Sequence, residues 1–248
     1  MSTGDWQVDF GKKTIVWIIH PETEGESCAY CTNFGASIPF RDFFCYIIIK
    51  EKFGRGGIVM PSKTTAFTDV LQDSPVIAAV KNDAGLARAL ESECAVIFFL
   101  YGTILNIPQL VRKAKEKNKL AFVHADLIEG MSGKDISADF LARNTTADGI
   151  ISTRPNLIRR ARELGLITIQ RFFLLDSMSF ENVLRQSSNA DVVDILPGTM
   201  PQIIRRLTEK MPQPLIASGL LQDKSDVMAA LSAGAIAIST TDEALWFV

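Results

Sequence analysis

The sequence predicts an α/β fold: a compact (β/α)8 TIM-type barrel over residues 67–248, behind an atypical N-terminal extension, residues 1–66. Three observations predict it. From Phe67 onward, short apolar runs alternate with helical segments eight times in roughly 180 residues, a compact length for such a barrel. The runs are continuous in polarity rather than alternating, as parallel strands buried on both faces require. The last two runs lie in Pro214–Thr241 and end in Ser218-Gly219 and in Ser239-Thr240-Thr241. Small and hydroxyl-bearing strand tips of this kind line an anion pocket with backbone N–H groups, and strands seven and eight of a barrel end where such a pocket sits. The alternative is an open doubly wound sheet. It would usually carry a glycine-rich turn after its first strand, and Lys81-Asn82-Asp83 is no such turn.

Each element follows from local signals. Phe67–Leu71 leads into a first strand, Pro75–Val80, and a helix over Ala84–Ser92. Ala95–Tyr101 is a second buried run. The helix Ile107–Asn118 is started by Pro108 and is rich in Lys and Arg toward its end, where the macrodipole favours cations. Lys119–Asp126 is the third strand, with a helix over Ser137–Asn144. Gly149–Ser152 is the fourth, followed by a helix over Asn156–Leu164, capped by Asn156 and stopped at Gly165. Leu166–Phe172 is the fifth, with a helix over Phe180–Gln186 capped by Ser179. Val192–Leu196 is the sixth, ending at Pro197-Gly198, with a helix over Met200–Lys210. Strand, helix Asp223–Ala233, strand Ala235–Ile238 and a truncated helix Asp242–Phe247 close the set.

Residues 1–66 share none of this rhythm. Thr14–Ile19 and Phe43–Lys50 read as strands, HPETEGESCAYCTNFGAS between them as loop, and Pro61–Thr65 as linker. The segment is either an added arm or sequence upstream of the true start. Cys28-x-x-Cys31 lacks the second pair of ligands that a zinc site needs, with only Cys45 and His20 nearby, and reads as loop thiols. The formal net charge of −2 excludes a global basic field. Four cysteines make no disulfide framework, and the start lacks the basic-then-apolar order of a signal peptide. A cytoplasmic protein away from the membrane is expected, with no cofactor and no metal.

In a parallel barrel the C-terminal strand ends point into one site. The candidates there are Lys81, His124, Asp126, Glu129, Arg171, Gly198, Ser218, Gly219, Ser239 and Thr240. His124-Ala125-Asp126 puts two polar side chains on one face of a strand, with Glu129 following. The readings are a hydroxyl-binding trio, acid–base chemistry at the imidazole, a carboxylate–imidazole metal site, or a rim histidine held by a backbone carbonyl. Arg171 either clamps a phosphate or pairs with Asp176 or Glu129. Lys81 is a phosphate partner or a solvated loop lysine. Arg159, Arg160 and Arg162 on one helix, and Arg205 and Arg206 on another, are solvated faces or a local RNA-binding surface.

AFVHADLIEGM, ADGIISTRPNLIRRARELGLITIQRFFLLDS, DILPGTMPQII and PLIASGLL together resemble the glycerol uptake operon antiterminator regulatory proteins, from about Ser74 to the C-terminus. The resemblance implies a phosphate-binding barrel that senses glycerol-3-phosphate rather than an enzyme. It implies action on the leader mRNA of glycerol catabolic operons, hence transcription antitermination, RNA binding and control of glycerol metabolism. By motif, Ser218-Gly219 and Ser239-Thr240 match the phosphate end, and His124, Asp126, Glu129 and Arg171 match the polar mouth. A homo-oligomer would double the basic surface offered to RNA. The start of the family does not match residues 1–66. The alternative is a TIM-barrel enzyme acting on a phosphorylated triose or a glycerophosphodiester, with His124 and Glu129 as acid and base.

Overall fold

The computed structural model describes residues 62–247 and the backbone of Gln7–Asp9 and Thr14–Val16. The chain divides into two units, Met1–Met60 and Pro61–Val248. In the first, β1 (Gln7–Asp9) pairs antiparallel with β2 (Thr14–Val16), within the strand expected at Thr14–Ile19. Cys28, Cys31, Cys45, His20 and the strand expected at Phe43–Lys50 lie outside the described residues.

The second unit is a closed barrel of eight parallel strands in the order β10-β3-β4-β5-β6-β7-β8-β9. These are β3 (Val76–Val80), β4 (Val96–Phe99), β5 (Leu120–His124), β6 (Gly149–Ser152), β7 (Ile167–Phe173), β8 (Val192–Leu196), β9 (Leu215–Ser218) and β10 (Ala237–Thr240). Helix α1 (Lys63–Asp73) precedes the barrel. Between the strands run α2 (Asp83–Glu91), α3 (Ile107–Glu116), α4 (Ile136–Asn144), α5 (Pro155–Glu163), α6 (Ser177–Gln186), α7 (Pro201–Thr208) and α8 (Lys224–Ser232). A 3-10 turn, Glu243–Phe247, follows β10 where a truncated helix was expected.

Three local expectations are corrected. The presumed linker is helical from Lys63, because Ser62 accepts from the Thr65 N–H and caps α1. α6 is capped by Asp176, not Ser179. Ser179 is the third residue of a capping box, its hydroxyl taking the Asp176 N–H while its own N–H goes to the Asp176 carboxylate. α5 begins at Pro155, so Asn156 is inside it, and its side-chain amide donates instead to the Gly133 carbonyl and to Asp135.

The core has two parts. Leu86, Val111, Ile150, Val193, Ile204 and Ile238 pack between strands and helices. Ile77, Val96, Phe98, Phe122, Ile151, Ile169, Val192 and Ile216 fill the lumen. α1 closes the N-terminal end of that lumen with Phe67 and Leu71, the Phe67 and Phe122 rings lying 4.6 Å apart at an angle of 33°. The opposite end is left for the loops that follow the strands.

Candidate functional site

Side chains two apart on a strand share a face. One step beyond Phe122, Ile169, Val192, Ile216 and Ala237, each in the lumen, stand His124, Arg171, Asp194, Ser218 and Ser239. Five inward positions near the C-terminal strand ends, four of them on the consecutive strands β7 to β10, thus turn polar, and all five side chains are buried.

Arg171 and Asp194 anchor this layer. The Arg171 Nε–H donates to Asp194 Oδ2 at 2.6 Å, and the Ser218 hydroxyl donates to Asp194 Oδ1 at 2.5 Å. The partner expected for Arg171 was Asp176 or Glu129. Asp176 caps α6 and the Glu129 side chain is exposed, whereas Asp194 is the register partner of Arg171 on the next strand. Asp194 was missed. Its signal was a single carboxylate inside the apolar run VVDIL, which can be buried only beside a cation or donors. Burial pushes its carboxyl upward, against the pull of Arg171 and Ser218.

His124 is 3% exposed, and its Nδ1 has no hydrogen-bond partner. Burial, and then the nearby Arg171 charge, hold the imidazole down to about 4, with Asp126 pulling the other way, so it is neutral near pH 7. His124 and Asp126 do not share a strand face. β5 stops at His124 and a 3-10 turn over Ala125–Leu127 rotates Asp126 aside, leaving 4.0 Å between Nδ1 and Oδ2. Asp126 instead accepts from the Ser152 hydroxyl, the Thr153 N–H and the Thr153 hydroxyl at 2.7–2.9 Å, with Arg154 Nε at 3.3 Å. It braces the loops after β5 and β6. Gly133 lets Arg154 cross this brace, since a Cβ there would lie 1.5 Å from Nη1.

The tips of β9 and β10 stand side by side, with Ser218 and Ser239 as register partners. Gly198, after β8, donates its N–H to the Gly219 carbonyl at 3.0 Å, and a Cβ on it would lie 2.9 Å from the Ser218 nitrogen. Gly219 and Leu220 both have positive φ, 76° and 61°. Glycine adopts this freely, but for exposed Leu220 it is a strained conformation of the kind kept where a loop has work to do. Among the described residues, the N–H groups of Gly219, Leu220 and Leu221 donate to no protein acceptor. Thr240 points out of the lumen, and its hydroxyl accepts from the Asp242 N–H. Lys81 is exposed at the tip of β3, beside β10.

The outer arginines differ among themselves. Arg160 is committed to Asp139 and Glu163, and Arg206 lies over the Phe180 ring at 4.7 Å. Arg162 reaches the Ser188 carbonyl at 3.4 Å. The exposed Arg159 and Arg205 guanidiniums have no partner among the described residues.

Two cavities lie away from the mouth. One, about 550 Å3, is lined by Met211, Gln213, Leu231 and Ile236 with no charged side chain. The other, about 420 Å3, lies between α6 and α7, where Asp176 and Arg206 are already engaged and Glu181 is the remaining charged side chain. Neither gathers convergent unpaired polar groups as the lumen does.

Among known proteins, the chain is similar to the uncharacterized Escherichia coli (strain K12) protein YgcP, 47% identical over 179 residues, 71% of this chain and 94% of that protein. Its structure resembles the glycerol uptake operon antiterminator regulatory protein from Listeria monocytogenes str. 4b F2365, with 31% identity and a TM-score of 0.66 over 69% of this chain and 94% of the other. It also resembles a glycerol uptake operon antiterminator-related protein from Thermotoga maritima MSB8, with 29% identity and a TM-score of 0.63 over 70% and 98%. The model of one family matches residues 76–246, from the first residue of β3 to the turn that follows β10, and the chain belongs to that family, the glycerol-3-phosphate responsive antiterminators.

Proposed function

We propose that this protein binds glycerol-3-phosphate in the barrel mouth and, so loaded, acts on the leader mRNA of glycerol catabolic operons as a transcription antiterminator. The observation that carries the reading is the family match, which spans all eight strands of the barrel and so includes the five polar lumen residues. The ligand contacts in this reading are Lys81, His124, Arg171, Gly198, Ser218, Gly219 and Ser239, with Asp126, Glu129 and Thr240 shaping the surrounding loops. Strained Leu220 and the unpaired N–H groups beside it support a phosphate at the tips of β9 and β10.

The RNA surface in this reading is the outer face of α5 and α7, with Arg159 and Arg205 as its leading cations and Arg162 beside them. Coupling between the two sites must be reciprocal: whatever glycerol-3-phosphate does for RNA affinity, RNA does for glycerol-3-phosphate. Filter binding of the leader RNA, with and without glycerol-3-phosphate, tests this. Tighter, salt-sensitive binding in the presence of the ligand is expected. Binding that the ligand leaves unchanged would show the reading to be wrong.

A further inference from the structure

Resting on that reading of the effector, we propose that the ligand lies hydroxyls-down: its diol is read by Ser218, Asp194, Arg171 and His124 in the lumen, and its phosphate stays at the rim. The sensor is therefore selective for the alcohol over the matching ketone.

This orientation follows from a count of protons. Ser218 has one, and it goes to Asp194. Toward a ligand the Ser218 oxygen offers lone pairs only, and the Asp194 carboxylate likewise. Arg171 has five N–H donors and uses its Nε–H on Asp194. Its Nη1 and Nη2 have no acceptor among the described residues, and the side chain is 7% exposed. A neutral imidazole at His124 adds one donor and one acceptor, and neither ring nitrogen has a hydrogen-bond partner among the described residues. The floor thus presents acceptors and donors side by side. A hydroxyl, which gives one proton and takes another, satisfies both kinds at once. A phosphate dianion satisfies only the donors. It would turn its lone pairs on Ser218 and its charge on Asp194, deep in a desolvated layer.

The rim has the complementary chemistry. The N–H groups of Gly219, Leu220 and Leu221 are all donors, and Lys81 adds a solvated positive charge at the neighbouring strand tip. That set suits a phosphate and is indifferent to a hydroxyl. One ligand spanning rim and floor has a phosphate at one end and neighbouring hydroxyls at the other.

Dihydroxyacetone phosphate is the informative analogue. It keeps the phosphate and one hydroxyl but carries a carbonyl at its second carbon. That oxygen cannot donate, so an acceptor in the floor is left facing another acceptor. Sites built to hydrogen-bond a hydroxyl discriminate strongly against ligands that lack it.

The test is calorimetric titration of the full chain with glycerol-3-phosphate, dihydroxyacetone phosphate, inorganic phosphate and glycerol. Glycerol-3-phosphate should bind on the order of 100-fold more tightly than dihydroxyacetone phosphate, from the loss of one buried hydrogen bond. Ser218→Ala should weaken glycerol-3-phosphate while leaving dihydroxyacetone phosphate unchanged, so that the preference collapses. Equal affinity for alcohol and ketone overturns the proposal while the glycerol-3-phosphate effector stands. So does inorganic phosphate binding as tightly as glycerol-3-phosphate. If none of the four binds, the effector reading itself fails, and the proposal with it. The wild-type comparison needs no variant, so a Ser218→Ala chain that does not fold leaves the outcome decisive.

Discussion

The two ends of the barrel lumen are built from the same strands and use opposite chemistry. At the N-terminal end, Phe67, Leu71, Phe98 and Phe122 interlock, and a buried cation nearby, Lys119, has its ammonium on the Ser92 and Cys94 carbonyls at 2.7 Å. At the C-terminal end, two residues further along β5 and β7–β10, the same lumen is lined by His124, Arg171, Asp194, Ser218 and Ser239, with Nδ1 of His124 unpaired. A fold that needed only stability would carry the apolar filling to the top. Replacing a buried ion pair by packed apolar side chains is commonly neutral or stabilising. In the function proposed above the polar layer serves what it binds, and the apolar end supplies the stability on which it stands.

That contrast can be broken at either end. Phe67→Ala should destabilise the protein by about 3–5 kcal/mol by opening a cavity among aromatic rings. Ligand affinity of the chains that remain folded should be unchanged in calorimetry. Asp194→Ala should cost a similar ~3–5 kcal/mol, because Arg171 is left buried and unpaired. Here, however, binding of glycerol-3-phosphate should also be lost. If the two variants behave alike toward ligand, the ends are not functionally different.

A smaller effect separates the ends by pH. His124 has its folded pKa held at about 4, below its ordinary 6.5, so below pH 6.5 the unfolded chain takes up the proton first. Its contribution is fully present above that value and is lost as pH falls toward 4, by up to roughly 3 kcal/mol. Urea melts of wild type and His124→Gln at several pH values should converge on acidification. Parallel curves would mean that the imidazole is not desolvated, and that the polar layer is wetter than the apolar end by more than its composition.

The smallest effect concerns the rim. Leu220→Gly should remove the strain of a left-handed leucine and raise stability by up to about 1 kcal/mol. For a domain of this size that is about 2–4 °C in Tm. A fall in Tm would show that the Leu220 side chain, not the backbone, is what the loop needs.

Much of this molecule was legible in the chain itself. Continuous apolar runs separated by helical segments give parallel strands wherever they occur, since a strand covered on both faces cannot afford polar residues. The tips at Ser218 and Ser239, and the basic and polar side chains of His124 and Arg171, could be placed from that rhythm alone. What the rhythm could not supply was partnership. For Arg171 the chain suggested Asp176 or Glu129, and only barrel closure set β7 beside β8 in a register that aligns Arg171 with Asp194. Asp126 and Thr240 looked inward until a 3-10 turn and strand parity directed them elsewhere. Local sequence determines which residues are strand and which are polar, because dihedral preference and burial act over a few residues. Which polar group meets which is a contact between residues some twenty or more positions apart, and only the closed sheet decides it.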